Sequence, residues 1–322
     1  MIGVAPDGVR VGITGLGASI PEAAIGSAEI ADRLDVSEEW IVERSGIRTR
    51  HMAAGGETAS ALAVEAARRA LDAAGTDPES LDFVLVATVT PDLATPATAA
   101  LVAAELGAAG AAAYDFSAAC TGFVYGLAQA YALIASGLAE RGLVIGAEIL
   151  SRTLDWSDRG TAILFGDGGG AAVVERVEEG GFLGFELGCD GTRAGVPELP
   201  LGGVIHMNGT AVYRFSTREV PESVERLLER CGVTIADVDL YVPHQSNRRI
   251  VEHTLKRLGI PAEKAVLNID RVGNTSAASI PIALVDAAAE DRLADGRLVL
   301  MTGVGAGLTW GSALLRWGGV AA

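Results

Sequence analysis

Three side chains in this 322-residue sequence sit where reactive groups are usually placed: Cys120, His244 and Asn274. Cys120 lies in the run Asp115–Leu127, where β-type residues end at Phe116, small residues follow, and an apolar helical stretch begins. The thiol therefore falls at a strand-to-helix turn near a helix N-terminus, a setting that favours thiolate. A free thiol of pKa about 8.5 is only about 3% ionised at neutral pH. The field of a helix end supplies about 0.3–1 kcal/mol, less than the ~1.36 kcal/mol that one full pKa unit requires. A second group must assist. This segment alone also fits a buried core cysteine, the commoner fate of a lone Cys.

His244 follows the apolar run Leu240–Val242 and Pro243, so it projects from the C-terminal end of a strand, where α/β sites lie. Ser246 or Asn247 can cap the helix that comes next. Asn274 stands in the polar loop Gly273–Ser276, ahead of a helix of small residues. A fourth segment, Thr302–Gly311, has glycines at 303, 305, 307 and 311, which let backbone N–H groups come close to a ligand oxygen. Each signal is weak alone, because Pro-His and Gly-Asn are common in loops and turns.

The elements needed to bring these residues together are legible in the hydrophobic pattern. Val9–Leu16, Phe83–Val89, Leu143–Gly146, Gly170–Val174, Leu240–Val242, Ala265–Ile269 and Leu298–Met301 read as strands, several apolar throughout as in sheets buried on both faces. Helices are expected over Ser27–Leu34, Ser37–Ser45, Thr58–Ala74, Pro221–Cys231, Asn247–Leu258 and Ala277–Ala289. Ala97–Ala113 reads as a packed helix plus a turn. Helix-then-strand units occur in both halves, implying a pseudo-duplicated α/β body of residues 1–178 and 179–322, joined in the glycine- and glutamate-rich stretch Val177–Gly184.

Composition removes several function classes. At 49% hydrophobic and 20% charged, the chain can build a real core and is not disordered. Its net charge of −16 argues against nucleic acid or an anionic membrane as partner. With Lys256 and Lys264 the sole lysines, any anion must be held by arginine or backbone amides. The distant cysteines Cys120, Cys189 and Cys231 form no disulfide framework, which fits a reducing, cytoplasmic compartment. No metal-ligand spacing is visible among the four histidines, and no apolar stretch is suited to crossing a membrane. The N-terminus, broken by Pro6, Asp7 and Arg10, does not read as a signal peptide.

Taken in order, these segments resemble the thiolase superfamily of condensing enzymes, most closely the β-ketoacyl-acyl carrier protein synthase III family. The resemblance runs from Val11–Gly17 through Glu39–Arg48, Asp158–Gly160, Phe165–Gly168, the His244–Asn247 run and Gly273–Ser279 to Trp310–Arg316. It implies five alternating α and β layers and a homodimer. Cys120 would take an acyl group from acyl-CoA as a thioester, and His244 and Asn274 would hold the enolate left when malonyl-acyl carrier protein loses CO₂. A neutral imidazole N–H and a carboxamide N–H suit that task, since neither has to lose a proton. The backbone N–H groups of Cys120 and Ala306 would meet the tetrahedral oxyanion. No cofactor is implied, because acyl-CoA is a substrate.

By the same resemblance Trp40, Arg44 and Arg159 bind CoA, and Gln245, Ser246, Asn247, Arg248 and Arg249 dock the carrier protein. Arg249, His253 and Lys256 would share one helix face while Ile250, Val251, Leu255 and Leu258 turn inward. Two positions depart from the pattern. Ala306 replaces a frequent glycine, and Thr95 stands where some members carry a bulky aromatic that closes the acyl channel across the dimer, implying room for branched or longer primers. The stretch Gly191–Met207 matches least. Three other readings remain: a relative using the same three residues in secondary metabolism, a non-catalytic ketosynthase partner subunit, and a thiolase. The presence of all three residues argues against the second, and the missing second catalytic Cys argues against the third.

Overall fold

In the computed structural model the described residues are 8–318, so the part of the N-terminal reading that rests on Pro6 and Asp7 lies outside them. The chain begins with β1 (Val11–Ser19), β2 (Ala24–Gly26), α1 (Ser27–Leu34), α2 (Glu38–Ser45), β3 (Thr49–His51), α3 (Ala59–Ala74) and β4 (Phe83–Ala87). It continues through α4 (Thr98–Leu106), β5 (Ala112–Phe116), α5 (Gly122–Ala135), β6 (Arg141–Glu148), β7 (Gly168–Arg176) and β8 (Gly181–Cys189). Then come β9 (Pro197–Glu198), β10 (His206–Met207), α6 (Gly209–Cys231), β11 (Leu240–Pro243) and α7 (Arg248–Leu258). The last elements are α8 (Ile269–Val272), α9 (Ser279–Ala289), β12 (Leu298–Gly305) and β13 (Thr309–Arg316).

Helix starts follow the capping residues. The Ser37 and Thr58 hydroxyls accept from the N–H groups of Trp40 and Ala61, and the Asn247 side chain accepts from that of Arg249. Two sheets result, ordered β1-β7-β6-β4-β5 and β8-β13-β12-β11. Their strand directions correspond. In each, the first two neighbouring pairs are antiparallel and the next is parallel. In the first sheet β5 then adds a parallel fifth strand. In the second, a single parallel bridge from Tyr241 to Ala265 occupies that place.

The layers run α3 and α4, first sheet, α5 and α9, second sheet, α6 and α7. The largest core lies in the middle, where Phe123, Leu127 and Ile134 of α5 and Ile280 and Leu284 of α9 pack against Leu85 and Val144 on one side and Val242, Val299 and Met301 on the other. Small residues set the spacing. A Cβ on Gly17 would come within 2.1 Å of the Ala66 carbonyl oxygen, so β1 and α3 touch backbone to backbone.

Two expected elements differ. Ala265–Ile269 is not a strand: after the one bridge at Ala265 the chain turns into α8. The helix expected from Pro221 begins twelve residues earlier, at Gly209 (221 − 209 = 12), with Pro221 inside it. Proline removes only one backbone hydrogen bond. Burial of Phe215, Val220, Val224 and Leu227 along one side keeps the helix continuous through it.

Replacing Gly17 with Ala should lower stability by about 3 kcal/mol, the upper part of the overpacking range. Urea unfolding should show an earlier midpoint with an unchanged slope. An unchanged midpoint would mean that β1 and α3 can move apart freely.

Candidate active site

The nucleophile turn forms where β5 ends. The Asp115 carboxylate caps α4 through the N–H groups of Thr98 and Ala99, both at 2.7 Å, which fixes the strand end. A short 3-10 turn, Ala119–Thr121, then leads into α5, with Ala119 in the left-handed region at φ 47°. The Thr121 hydroxyl donates to the Ala118 carbonyl at 2.6 Å and lies 2.8 Å from the Thr309 hydroxyl, tying the turn to β13 of the second sheet. At the end of β12, a Cβ on Gly305 would stand 2.9 Å from the Cys120 nitrogen and from the Ala118 oxygen. Only glycine permits this contact.

His244 follows β11, and its N–H donates to the Thr302 carbonyl at 2.7 Å. Its ring is 96% buried, with Nδ1 2.6 Å from the Ser279 hydroxyl and Nε2 without a hydrogen-bond partner. Burial pushes the imidazole down to about 3, so it is neutral at any working pH. If the Ser279 hydroxyl donates to Nδ1, the proton of the neutral ring sits on Nε2, a free donor.

Asn274 is held by its backbone on both sides: its N–H donates to the Leu164 carbonyl at 2.9 Å and its carbonyl accepts from Gly166 at 3.0 Å. Its Oδ1 accepts from the Ser276 N–H at 2.9 Å, leaving the amide nitrogen as the unused donor. Thus the Phe165–Gly168 run serves to anchor the asparagine loop.

One cavity of about 910 Å³ is lined by Cys120, His244, Asn274 and Ala306, and also by Trp40, Arg44, Arg159, Ser246, Asn247 and Arg249. Nothing in the chain accepts from the Cys120 or Ala306 N–H groups among the described residues. The Arg44 guanidinium stacks 4.1 Å over the Trp40 ring, and the Asn247 side chain donates to the Arg44 carbonyl at 2.8 Å. Arg159 donates to the Leu34 and Asp35 carbonyls, at 3.0 and 3.2 Å, which holds it at the end of α1.

The thiol differs from the sequence expectation. Part of Cys120 is open to the cavity, yet burial pushes it up to about 11, with the Glu148 charge adding to the rise and a Ser276 hydrogen bond opposing it. The helix end does not prevail, and the resting form is the thiol.

Other predicted positions fall outside the cavity. Gln245 is fully buried: its Nε2 donates to the Pro243 and Val266 carbonyls at 2.8 and 3.0 Å, and its Oε1 accepts from Asn268. It pins the chain beside His244 and presents nothing to a docking partner, which corrects that assignment. Arg248 is exposed and ion-paired to Glu252 at 2.7 Å. Arg249, His253 and Lys256 are exposed on one face of α7, while Ile250, Val251 and Leu255 are buried and Leu258 is half-buried. Thr95 is exposed and lines no part of the cavity of the single chain; the expectation for it concerned a dimer.

Sequence reasoning missed Ser276, Ser279, Glu148 and Tyr213, the last lying under Arg249 and against His253. Ser276 and Ser279 fell within a quoted motif, and no local pattern marks the others. Among the described residues there is no His, Cys, Asp or Glu group suited to a metal ion, and no helix is long and apolar enough to cross a membrane.

A nucleophile turn from one sheet and donor-bearing turns from the other, meeting on one cavity floor, define a thiolase-fold enzyme of the condensing class. The family model for 3-oxoacyl-[acyl-carrier-protein] synthase III matches residues 114–191, and that for its C-terminal region matches residues 228–317. The beta-ketoacyl-[acyl-carrier-protein] synthase III of Desulfitobacterium hafniense strain DCB-2 is 48% identical, covering 96% of this chain and 98% of that protein. The crystal structure of 3-oxoacyl-[acyl-carrier-protein] synthase III from Aquifex aeolicus superposes with TM-score 0.94 at 43% identity, covering 95% of this chain and 100% of that one. The priming β-ketosynthase of the R1128 polyketide pathway is more distant, at 36% identity and TM-score 0.90, covering 96% of this chain and 97% of that one. This chain belongs to the 3-oxoacyl-[acyl-carrier-protein] synthase III family.

Removing the Ser279 hydroxyl leaves Nδ1 free to carry the imidazole proton. Ser279→Ala should therefore lower the enolate-forming rate about 10-fold or more, as expected for a lost buried hydrogen bond, while iodoacetamide still labels Cys120 as in the parent. Decarboxylation assays with the variant check this; an unchanged rate would show that the tautomer is set elsewhere.

Proposed function

We propose that the protein is an acyltransferase that condenses an acyl-CoA primer with malonyl-acyl carrier protein, releasing CO₂ and giving 3-ketoacyl-acyl carrier protein, the first elongation of fatty-acid synthesis. The carrying observation is the cavity floor, where a thiol stands with a neutral, unpartnered imidazole nitrogen and a carboxamide whose nitrogen is free. Residues 1–178 supply the nucleophile and 179–322 the donors. Cys120 attacks the acyl-CoA carbonyl, CoA leaves, and the acyl group rests on sulfur. Loss of CO₂ from the malonyl group then leaves an enolate, which His244 Nε2–H and the Asn274 amide stabilise. Its carbon attacks the acyl-Cys120 carbonyl, and the backbone N–H groups of Cys120 and Ala306 take up the new oxyanion. Such donors are worth about 2.7–4 kcal/mol each, so they outweigh a helix-end field of about 1 kcal/mol at most.

In this reading the nucleotide part of CoA rests on Trp40, Arg44 and Arg159 at the cavity rim. An acidic carrier protein meets Ser246, Asn247, Arg248, Arg249 and Lys256, a local basic patch on a chain of net charge −16. Acyl-CoA is consumed as substrate, and no cofactor is needed. Homodimer formation is supported by β5, an edge strand with Ala112 and Tyr114 exposed. Thr95 then faces the acyl channel of the partner. Three free cysteines fit a cytoplasmic enzyme.

Asn274→Ala should leave acylation of Cys120 nearly intact and reduce condensation 10²–10³-fold. Equal loss of both half-reactions, followed by CoA and CO₂ release, would refute this division of roles. Arg249→Glu should raise the KM for malonyl-acyl carrier protein several-fold more than that for acyl-CoA; a parallel rise would refute the docking assignment. Acyl transfer without CO₂ release by the parent enzyme would favour another acceptor.

A further inference from the structure

Accepting the condensing role, acylation must remove a proton from a thiol that the cavity keeps protonated, and neither His244 nor the helix end provides for this. Behind Cys120 lies a fully buried carboxyl, Glu148, at the C-terminal end of β6. One of its oxygens is fully engaged: Oε2 accepts from the Thr88 hydroxyl at 3.2 Å, the Val89 N–H at 3.1 Å and the Thr90 hydroxyl at 2.7 Å. The other, Oε1, is buried and closes no hydrogen bond. The Ser276 hydroxyl approaches this carboxyl and also the Cys120 thiol.

The backbone is built to bring these three together. A Cβ on Gly146 would come within 2.3 Å of the Ala277 carbonyl oxygen, and one on Gly122 within 3.3 Å of Ala277 Cβ. The end of β6, the start of α5 and the 276–278 turn thus converge with no side chain between them. Ser276 itself is buried in the left-handed region at φ 49°, a conformation a serine adopts only where its surroundings impose it. Facing Glu148 are Thr88 and Thr90 from the end of β4, Ser276 from the turn and Cys120 from the nucleophile loop. Of these only Cys120 titrates, and no basic side chain acts on the carboxyl.

We propose that Glu148, reached through the Ser276 hydroxyl, receives the Cys120 proton during acylation. As sulfur attacks the acyl carbon, the thiol proton passes to Ser276 Oγ while the Ser276 hydroxyl proton passes to Glu148 Oε1. When the tetrahedral intermediate collapses, the bond from carbon to the CoA sulfur breaks. The CoA thiolate takes a proton from Ser276 Oγ, which is refilled from Glu148. Thiol and acyl-CoA become acyl-Cys120 and CoA thiol, with Glu148 ionised again. Burial pushes the Glu148 carboxyl up to about 7, close to the working pH at which a base is most effective.

The test separates the two half-reactions in the full-length enzyme. With acetyl-CoA as probe, Glu148→Gln should release CoA about 10²-fold more slowly than the parent. It should also lose the rise in rate with pH that the parent shows near neutrality. Once loaded by long incubation, the variant should react with malonyl-acyl carrier protein within about threefold of the parent. Ser276→Ala should reproduce the acylation defect, and the double variant should be no slower than either single one. Acylation at the parental rate with an unchanged pH profile would overturn the proposal. So would equal loss in both half-reactions, the signature of a structural role. Should Glu148→Gln fail to fold, Ser276→Ala decides by the same criteria. A parent enzyme that acetyl-CoA does not acylate would instead defeat the condensing reading.

Discussion

Everything at the cavity floor depends on backbone segments from both sheets lying closer together than side chains normally allow. Gly305 brings the end of β12 against the Cys120 turn, Gly146 brings the end of β6 against Ala277, and Gly122 opens α5 against the same residue. At Gly305 and Gly146 an added methyl would lie under 3.0 Å from main-chain atoms, which cannot swing aside. The glycine-rich runs in the sequence are therefore a packing requirement imposed by the site. They also explain why Ala306 is tolerated: it borders the open cavity, and its neighbour at 305 makes the tight contact.

The same enclosure sets the charge state of the floor. Burial moves His244 down, Cys120 up and Glu148 up, in each case towards the uncharged form. Such a resting site is a poor place for thiolate but a favourable one for a charge that develops during reaction. Hydrogen-bond donors there are not competing with water, and their dipoles need no reorganisation when the charge appears. The helix-end field, which looked useful from sequence, is outweighed because desolvation acts on the sulfur itself.

How much of this could be read beforehand follows from the range of the interactions involved. Capping by Ser37, Thr58 and Asn247 is local, so those helix starts were legible to within a residue. The strand runs were legible because strands buried on both faces have a continuous apolar signature. Pro221 misled, since a proline resembles a first-turn residue, and the helix before it is specified by packing of Phe215 and Val220 against the second sheet. Gln245 misled for a related reason: beside a histidine in a loop it looks exposed, and its burial depends on carbonyls contributed from Pro243 and Val266. Glu148, Ser276 and Ser279 acquire their importance wholly from residues more than 30 positions away, which no window along the chain can reveal.

Charge at the cavity mouth is a matter of locality. The chain carries −16 overall, which would repel an acidic partner at long range, yet screening at physiological ionic strength limits that repulsion to about 8 Å. Within that distance of the mouth the partner meets the exposed Arg249, His253 and Lys256 of α7. Tyr213 on α6 braces Arg249 and His253 from below, holding side chains that would otherwise lose considerable freedom on docking. With so few lysines, the patch relies on arginine, whose planar fork matches carboxylate and phosphate geometry better than a point charge does. An anionic carrier would thus be selected at contact rather than steered from a distance. Its approach rate should then be governed less by the net charge of the protein than by the few groups beside the mouth.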